Sequence, residues 1–329
     1  MARPPAWQFD LDAPTRAVLV HGLSGVPRPL PIRVVGSDWT RLRADCEQHR
    51  LDGLLVSAAV TGVILTDDAG RADAAALEVD LTRRRMAHEA ELVTVVGWLA
   101  EAGVPTRVLK GVALAHLDHP DPQHRPPGDL DLLVRGYDLT TAVGELRARG
   151  AGLLENDPAP GYATVVGKGT TVAVARGPEI DLHRLLVWGP FGVRVRPEDL
   201  WRPGRTVALG DAAIDTLDVE ATLVHVALHL TVLGWRRALS VRDVGVLLLG
   251  DAVDRWARRS SSSWRDRAWL RIERPEEPLG VLEPVATYLE LRTSAERAML
   301  RRASLHPAPG TWPTPLGRLR RVVGRSAER

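Results

Sequence analysis

Two aspartates lie one residue apart inside an apolar run of the chain. Asp129 and Asp131 belong to GDLDLLV, residues 128–134, in which the other positions after Gly128 are Leu or Val. Side chains two positions apart in a strand project from the same face, so both carboxylates would point the same way. Because two like charges at that separation repel each other, we expect a cation between them.

A third aspartate occurs in a second run of the same kind. Asp181 lies in EIDLHRLL, residues 179–186, which also has the pattern of an apolar strand. If the two strands are neighbours in a sheet, the three carboxylates can converge on one spot; Glu179, on the same face of its strand, is the alternative to Asp181. An oxygen-only cluster suits Mg²⁺ or Mn²⁺. Two such ions about 3.5–4 Å apart can activate an attacking hydroxyl and stabilise a leaving pyrophosphate.

The residues around the aspartates predict a small mixed sheet. Between about 104 and 186, short apolar runs separated by turn residues predict the order β-α-β-α-β-β-β, with helices on one side of the sheet. The predicted strands are TRVLK, DLDLLV, YATVV, TVAVA and EIDLHRLL, with YATVV and TVAVA forming a hairpin around a GKG turn. One helix is predicted to begin at Gly111, and another, YDLTTAVGELRARG, to end at Gly150.

Helical patterns flank this core on both sides. A long segment with helical spacing of apolar residues ends at Gly103, and further helical patterns follow from about 217. The predicted fold class is therefore α+β, a small mixed-sheet core with helical amino-terminal and carboxy-terminal regions. The predicted divisions are a mainly helical region (1–103), the core (104–200), a second helical region (201–300) and a basic flexible tail (301–329).

Taken together, the motifs resemble a known family. VLKGVALAHL, a loop ending in Arg125, GDLDLLV and IDLHRLL are similar to the uncharacterised nucleotidyltransferase family within the DNA polymerase beta-type nucleotidyltransferase superfamily. The resemblance covers roughly residues 85 to 250 and is strongest over 107–134. It implies a nucleotidyltransferase core in which a D-x-D pair and a later acid hold two Mg²⁺ ions, with Mn²⁺ as the alternative.

The resemblance also implies roles for the acidic residues. By motif position, Asp129 and Asp131 would be the catalytic pair of metal ligands. Asp181 would be the third catalytic residue and metal ligand, and it would help to deprotonate the acceptor hydroxyl.

The turn expected to receive the triphosphate departs from the superfamily pattern. Gly111 marks this turn, but the usual Gly-Ser or Gly-Gly is replaced by Lys110-Gly111-Val112, so the serine contact to phosphate is missing. Lys110 could replace it, because a lysine at a helix amino terminus adds a point charge to the free N–H groups and the helix dipole.

Three further residues are candidates for the nucleotide site, and each has a structural alternative. Arg125 could bind phosphate bidentately or be an ordinary loop arginine. His183 could orient a carboxylate or the nucleotide, or simply be packed. Arg242 could lie over the nucleotide cleft, or pair with Asp243 between helices.

Two other patterns favour structural interpretations. Lys168, the only lysine besides Lys110, lies in the predicted hairpin turn and is expected to be exposed. His225 and His229 have the i, i+4 spacing of metal ligands, but without a third ligand nearby in sequence we expect two core histidines.

Composition and charge restrict the partners and the location. The 329 residues are 45% hydrophobic and 26% charged, and the single cysteine excludes a disulfide framework or a Cys-rich zinc site. No signal pattern or apolar run long enough for a bilayer is found, so we expect a cytoplasmic protein that does not contact membrane. The net charge of +2 owes its sign to seven arginines in residues 301–329, and aromatic residues do not interleave with basic ones. Nucleic acid is therefore not the expected partner, although the basic tail keeps it open.

The leading hypothesis is a Mg²⁺-dependent nucleotidyltransferase whose partners are an NTP, expected to be ATP, and an unknown acceptor. The acceptor would be a hydroxyl or phosphate on a small molecule, peptide or protein, as for a tailoring enzyme of a biosynthetic pathway. One alternative is a partner protein that binds nucleotide without transferring it, which the missing serine favours. Another is a toxin-like enzyme that modifies tRNA or protein, which the basic tail would suit. The sequence does not indicate the oligomeric state.

Overall fold

The computed structural model describes residues 11–24, 26–154, 162–165, 167–174, 177–187, 195, 197–232 and 237–249. These residues belong to two compact units. The first contains residues 11–93, 108–128 and 203–249, and the second contains 94–107 and 129–202. The helices predicted beyond residue 250 and the predicted basic tail lie outside the described residues.

The helices, in chain order, are α1 (Ala13–Val20), α2 (Ser37–His49), α3 (Asp52–Val60), α4 (Asp68–Glu101), α5 (Lys110–Leu117), α6 (Leu139–Ala148), α7 (Tyr162–Val165), α8 (Pro197–Leu200), α9 (Val219–Val232) and α10 (Ala238–Leu249). A 3₁₀ turn spans Pro122–His124. Local chemistry explains several helix ends. Asp12 caps α1 by accepting a hydrogen bond from the Thr15 amide at 2.9 Å, and Gly103 follows α4 with a φ of +71°.

The strands are β1 (Ile32–Arg33), β2 (Ile64–Leu65), β3 (Thr106–Val108), β4 (Leu130–Val134), β5 (Gly152–Leu153), β6 (Gly169–Ala173), β7 (Glu179–His183), β8 (Arg205–Leu209) and β9 (Ala212–Thr216). The first unit contains the two-residue parallel pair β1 and β2 and the antiparallel hairpin β8–β9. The second unit contains four neighbouring strands in the order β5-β6-β7-β4. β7 pairs antiparallel with β6 and parallel with β4, so this sheet is mixed.

Two of the apolar clusters in the described part of the first unit join its helices. The larger one gathers buried side chains of α1, α2 and α3, and it also includes Ala238 and Leu239 at the start of α10. The smaller one joins Leu114 of α5 to Leu223 and Val244, among others, on α9 and α10. Burial of these side chains supplies most of the driving force that holds the helices together.

The second unit is organised around β4, whose five residues are all buried. Because side chains alternate between faces, a strand buried throughout is covered on both faces of the sheet. Two guanidinium groups, those of Arg107 and Arg135, lie over the Trp201 ring at 5.3 and 5.0 Å from its centroid. These cation–π contacts hold Trp201, near the end of the stretch 129–202, against residues in β3 and directly after β4.

The α+β class with a mixed sheet and flanking helices, predicted from the sequence, is confirmed. Two local predictions are wrong. Residues 162–165 of the YATVV segment form the single helical turn α7, because β5 and β7 already occupy both edges of β6. The segment after 201 contains the β8–β9 hairpin before its helices, with Gly210 at a φ of +57° in the turn. The sequence-based division into four regions stays a prediction.

In the part of the chain that the structure describes, no helix combines the length and apolar character needed to cross a membrane.

Candidate active site

Asp131 and Asp181 face each other across neighbouring strands of the second unit. β4 and β7 are parallel, and the two aspartates are partners in their register. This is the neighbour relationship on which the predicted convergence of carboxylates depends. Asp129 differs from the prediction, because β4 begins at Leu130 and Asp129 lies exposed just before the strand.

His183 lies between the two aspartates. Its Nε2 is 2.8 Å from Asp131 Oδ1 and 3.7 Å from Asp181 Oδ2, and its side chain is 2% exposed. The other ring nitrogen, Nδ1, is 3.2 Å from the Leu185 carbonyl oxygen. A carbonyl can only accept, so Nδ1 donates there and fixes the ring orientation. The geometry matches the alternative in which His183 orients a carboxylate.

Asp181 is bonded through both of its carboxylate oxygens. Lys168 Nζ donates to Oδ2 at 2.7 Å, and the Thr171 hydroxyl donates to Oδ1. Burial alone would raise the pKa of Asp181, but the charges of Lys168 and His183 and the two hydrogen bonds outweigh burial and lower it. Asp181 is therefore ionised at neutral pH.

Lys168 is not the exposed turn residue that the sequence predicts. Its side chain is 39% exposed and pairs with Asp181. Burial alone would lower the pKa of Lys168, but the charge and hydrogen bond of Asp181 raise it overall. Lys168 thus supplies a positive charge beside the two facing aspartates.

The backbone beside Lys168 is fixed by its neighbours. The Lys168 carbonyl accepts hydrogen bonds from the amides of Arg184 and Leu185 at 2.7 and 3.1 Å. The next residue, Gly169, has a φ of +154°, and a Cβ there would lie 1.7 Å from the Leu182 carbonyl oxygen. Only glycine permits this approach of β6 to β7. The pairing of these strands therefore fixes the backbone position of Lys168.

Asp131, Asp181 and His183 form a group that could hold a metal ion. They offer ligand atoms that all lie within 4.8 Å of one another. Two carboxylates suit Mg²⁺ or Mn²⁺, and the ammonium of Lys168 on Asp181 shows that the group accommodates a positive charge. The residues present therefore fit a divalent cation.

Thr171 is a site residue that sequence reasoning missed. It is the register partner of Asp181 in β6. Its hydroxyl, on an antiparallel neighbour, is therefore placed beside the carboxylate. Only the register of β6 against β7 identifies it, and the sequence does not give that register.

The predicted phosphate turn, Lys110-Gly111, belongs to the first unit. Lys110 has a φ of +33° and is 8% exposed, and Gly111 has a φ of +26° and a ψ of −111°. A non-glycine residue with positive φ costs free energy, and such strain is concentrated at functional turns. The turn separates β3 from the regular part of α5, so the amide groups of the first helical turn lie directly after it.

Arg125 is held by Asp243 within the first unit. Its Nε is 3.0 Å from Oδ1 of Asp243, and its Nη2 is 3.0 Å from Oδ2. His119 Nε2 lies 3.0 Å from the same Oδ1. Burial would raise the pKa of Asp243, but Arg125 and His119 outweigh it and lower the pKa to about 2. The bonds to Asp243 use one edge of the guanidinium, so any phosphate contact by Arg125 would fall to Nη1.

Arg242 makes structural contacts. Its side chain donates to the backbone carbonyls of Leu19 and His21, and the residue is 2% exposed. Burial lowers its pKa to about 10, although Asp243 opposes that shift. These bonds attach the end of α1 to α10. The prediction that Arg242 contacts nucleotide stays a prediction, and the observed contacts favour its structural alternative.

His225 and His229 lie on α9 with ring centroids 6.3 Å apart, and His225 is 1% exposed. Their surroundings are those of a helix packed in the first unit. His225 is thus buried as expected for a core histidine, whereas His229 is only half-buried.

A family model described as uncharacterised nucleotidyltransferase matches residues 36–275, which is well over half of the chain. The chain belongs to the uncharacterised nucleotidyltransferase family and is, by class, a nucleotidyltransferase. The resemblance found in the motifs is confirmed. No curated protein matches the chain.

Two solved structures show a partial likeness. One is the crystal structure of ANT(2″)-Ia in complex with adenylyl-2″-tobramycin, which is 10% identical with a TM-score of 0.41, over 56% of this chain and 98% of that one. The other is the solution structure of the antibiotic-resistance factor ANT(2″)-Ia, which is 13% identical with a TM-score of 0.36, over 60% and 98%. At these TM-scores neither likeness bears on the function of this chain.

Proposed function

We propose that this protein transfers a nucleotidyl group from an NTP, with ATP the first candidate, to a hydroxyl or phosphate of a small molecule, peptide or protein, and that it requires Mg²⁺. The observation that carries this proposal is the facing pair Asp131 and Asp181, which are register partners on adjacent parallel strands. The ammonium of Lys168 is already hydrogen-bonded to Asp181. Family membership supplies the reaction class, and this pair supplies the means to hold metal.

Three carboxylates would hold the metal ions. Asp131 and Asp181 face each other, and Asp129, exposed at the start of β4, would complete the set. His183 orients Asp131 through the contact of its Nε2 with Oδ1. Bound metal would neutralise the charge of the phosphates and lower the pKa of the attacking hydroxyl.

Asp181 would also receive the acceptor's proton. Its lowered pKa makes it a weak base by itself, but it is ionised at neutral pH and its carboxylate can accept a hydrogen bond from the acceptor hydroxyl. Positioning of the hydroxyl by Asp181 would therefore count for more than its basicity.

The nucleotide's phosphates would be bound by the Lys110-Gly111 turn. The ammonium of Lys110 supplies charge and the amides at the start of α5 supply donors. Arg125 would donate a further hydrogen bond to phosphate through Nη1, since its Nε and Nη2 donate to Asp243. Arg242 is given no part in this assignment, because two of its guanidinium nitrogens donate to backbone carbonyls.

Calorimetric titration of each NTP with Mg²⁺ tests the proposal without knowledge of the acceptor. The wild-type protein should bind one NTP in a metal-dependent manner, and the Asp129→Asn/Asp131→Asn double variant should not. Asp215→Asn, an exposed aspartate of β9, is the matched control and should bind as the wild type does. Absence of NTP binding by the wild type, with and without Mg²⁺, would contradict the proposal.

The absence of the usual serine from the Lys110-Gly111-Val112 turn keeps the partner-protein alternative in view. Binding of NTP without release of pyrophosphate, across acceptors that include small alcohols, peptides and tRNA, would favour that alternative. Release of pyrophosphate that depends on one of these acceptors would favour transfer and would identify the acceptor class.

A further inference from the structure

Lys168 is hydrogen-bonded to Asp181, one of the proposed metal ligands. Its Nζ lies 2.7 Å from Asp181 Oδ2, while the Thr171 hydroxyl is bonded to Oδ1. In the part of the chain described, both oxygens of this carboxylate thus have donors. A divalent cation that uses Asp181 meets an ammonium group that is already there.

Sharing of Oδ2 by the two cations is strongly unfavourable. Mg²⁺ binds carboxylate oxygen at about 2.1 Å. With Lys168 at its present distance, the two positive charges would be separated by only about 4 Å, where they repel strongly. One of the two must leave when the other binds.

The backbone of Lys168 does not take part in such a change. Its carbonyl is bonded to two amides of the chain after β7, and Gly169 fixes the approach of β6 to β7. The side chain, by contrast, is 39% exposed and has four methylene groups. The ammonium can therefore swing away from Asp181 while the strand stays in place.

We propose that Lys168 is the resident cation of the metal-free site and that a divalent metal ion reaches Asp181 only by displacing it. The exchange keeps the charge at Asp181 compensated in both states. It also frees an ammonium beside the reacting groups, where the triphosphate of an NTP can receive it. This inference rests on the proposed function, since it requires that Asp181 bind metal.

The first measurement is the affinity for Mn²⁺, by calorimetry on the full chain. Lys168→Met removes the competing cation. The variant should therefore bind Mn²⁺ about tenfold or more tightly than the wild-type protein. Lys168→Arg retains a cation and should stay close to the wild type. Asp181→Asn removes the ligand and should weaken binding in every background. Thermal unfolding of each variant checks that the fold is retained, and Lys168→Gln is the substitute if the methionine variant does not fold.

The second measurement tests whether the Lys168 side chain responds when metal binds. Because Lys110 and Lys168 are the only lysines of the chain, ¹³Cε-lysine labelling gives two NMR signals, and Lys168→Arg assigns them. Titration with Mg²⁺ and a non-hydrolysable ATP analogue should shift the Lys168 signal in step with metal binding. Metal binding that saturates while this signal stays unchanged would overturn the inference.

The possible failures are distinguishable. If Mn²⁺ binds the wild type and Lys168→Met equally, or the variant more weakly, the role of Lys168 is wrong and the proposed function stands. If Mn²⁺ binds neither protein, the metal site fails and both proposals fall with it.

Discussion

Arg125 donates through Nε and Nη2 to the two oxygens of Asp243, a residue 118 positions further along the chain. With His119 on the same carboxylate, this pair ties the loop after α5 to α10. A buried carboxylate with a pKa of about 2 is one whose partners stabilise its charge strongly.

Replacement of Asp243 should therefore be costly. Asp243→Asn leaves the part-buried guanidinium of Arg125 without its charged partner, and breaking such a pair typically costs about 3–5 kcal/mol. We expect the free energy of unfolding, measured in urea, to fall by an amount in that range. The exposed Asp215→Asn should change it by less than about 0.5 kcal/mol. A loss for Asp243→Asn as small as the control's would show that the pair is not stabilising.

The stability of the protein should fall between pH 6.5 and pH 4. Burial lowers the pKa of His124 to about 4, with nearby positive charges adding to the effect and Asp121 opposing it. The unfolded chain takes up this proton below about pH 6.5, whereas the folded chain does so only near pH 4. The contribution of His124 is thus complete above pH 6.5 and is lost progressively down to pH 4, by up to about 3 kcal/mol.

Urea unfolding of the wild type and His124→Gln at several pH values from 7.5 to 4.5 measures this effect. The variant should show a shallower decline. Some decline should remain, since burial also lowers the pKa of His21. Asp243, with a pKa of about 2, loses its contribution only below about pH 4 and does not affect this range. Parallel curves for the two proteins would exclude His124 as the cause.

Two glycines of the second unit should respond in opposite ways to alanine. At Gly169 a Cβ would lie 1.7 Å from the Leu182 carbonyl, so Gly169→Ala should destabilise the protein by more than about 2 kcal/mol and weaken Mn²⁺ binding. At Gly144, inside α6, a Cβ meets nothing within 4 Å, and Gly144→Ala should add about 0.5–1 kcal/mol of stability. Urea unfolding and calorimetry of both variants provide the comparison, and equal effects would contradict it.

The turn at Gly111 should matter for nucleotide binding beyond its effect on stability. Alanine there cannot easily adopt a φ of +26°, so Gly111→Ala should shift the turn and reduce NTP affinity by about tenfold or more. Gly103→Ala also places alanine at a positive φ, +71°, after the end of α4. It should lower stability while the NTP affinity of the folded protein stays unchanged. If the two variants bind NTP alike, the turn is not a phosphate site.

Local patterns were sufficient to predict several parts of the fold. The alternation in GDLDLLV and EIDLHRLL predicts two strands with aspartates, and the helical spacing before Gly103 predicts α4. The β8–β9 hairpin was missed, although Val207 and Ile214 are buried in alternation with exposed residues. Its signal is weakened because Gly210-Asp211 is preceded by a long segment rich in Pro and Gly.

Contacts between distant segments could not be predicted in this way. Lys168 was expected to be exposed because a lysine between two glycines has the composition of a solvated turn. Its pairing with Asp181 depends on the register of β6 against β7, which no local pattern specifies. The bonds of Arg125 to Asp243 depend likewise on how α10 packs, so sequence alone left the role of Arg125 open.

The two units are each assembled from separated stretches of chain. Residues 94–107 and 129–202 form one of them, and the stretch 108–128 between these belongs to the other. Two of the four boundaries, 93/94 and 107/108, fall within α4 and within β3, inside regular structure. A fragment spanning residues 94–202, which contains the carboxylates, would therefore include residues 108–128 of the other unit. The other unit would then lack that stretch. Neither unit can be produced by simple truncation, and loss of activity in a deletion series would report misfolding before it reported function.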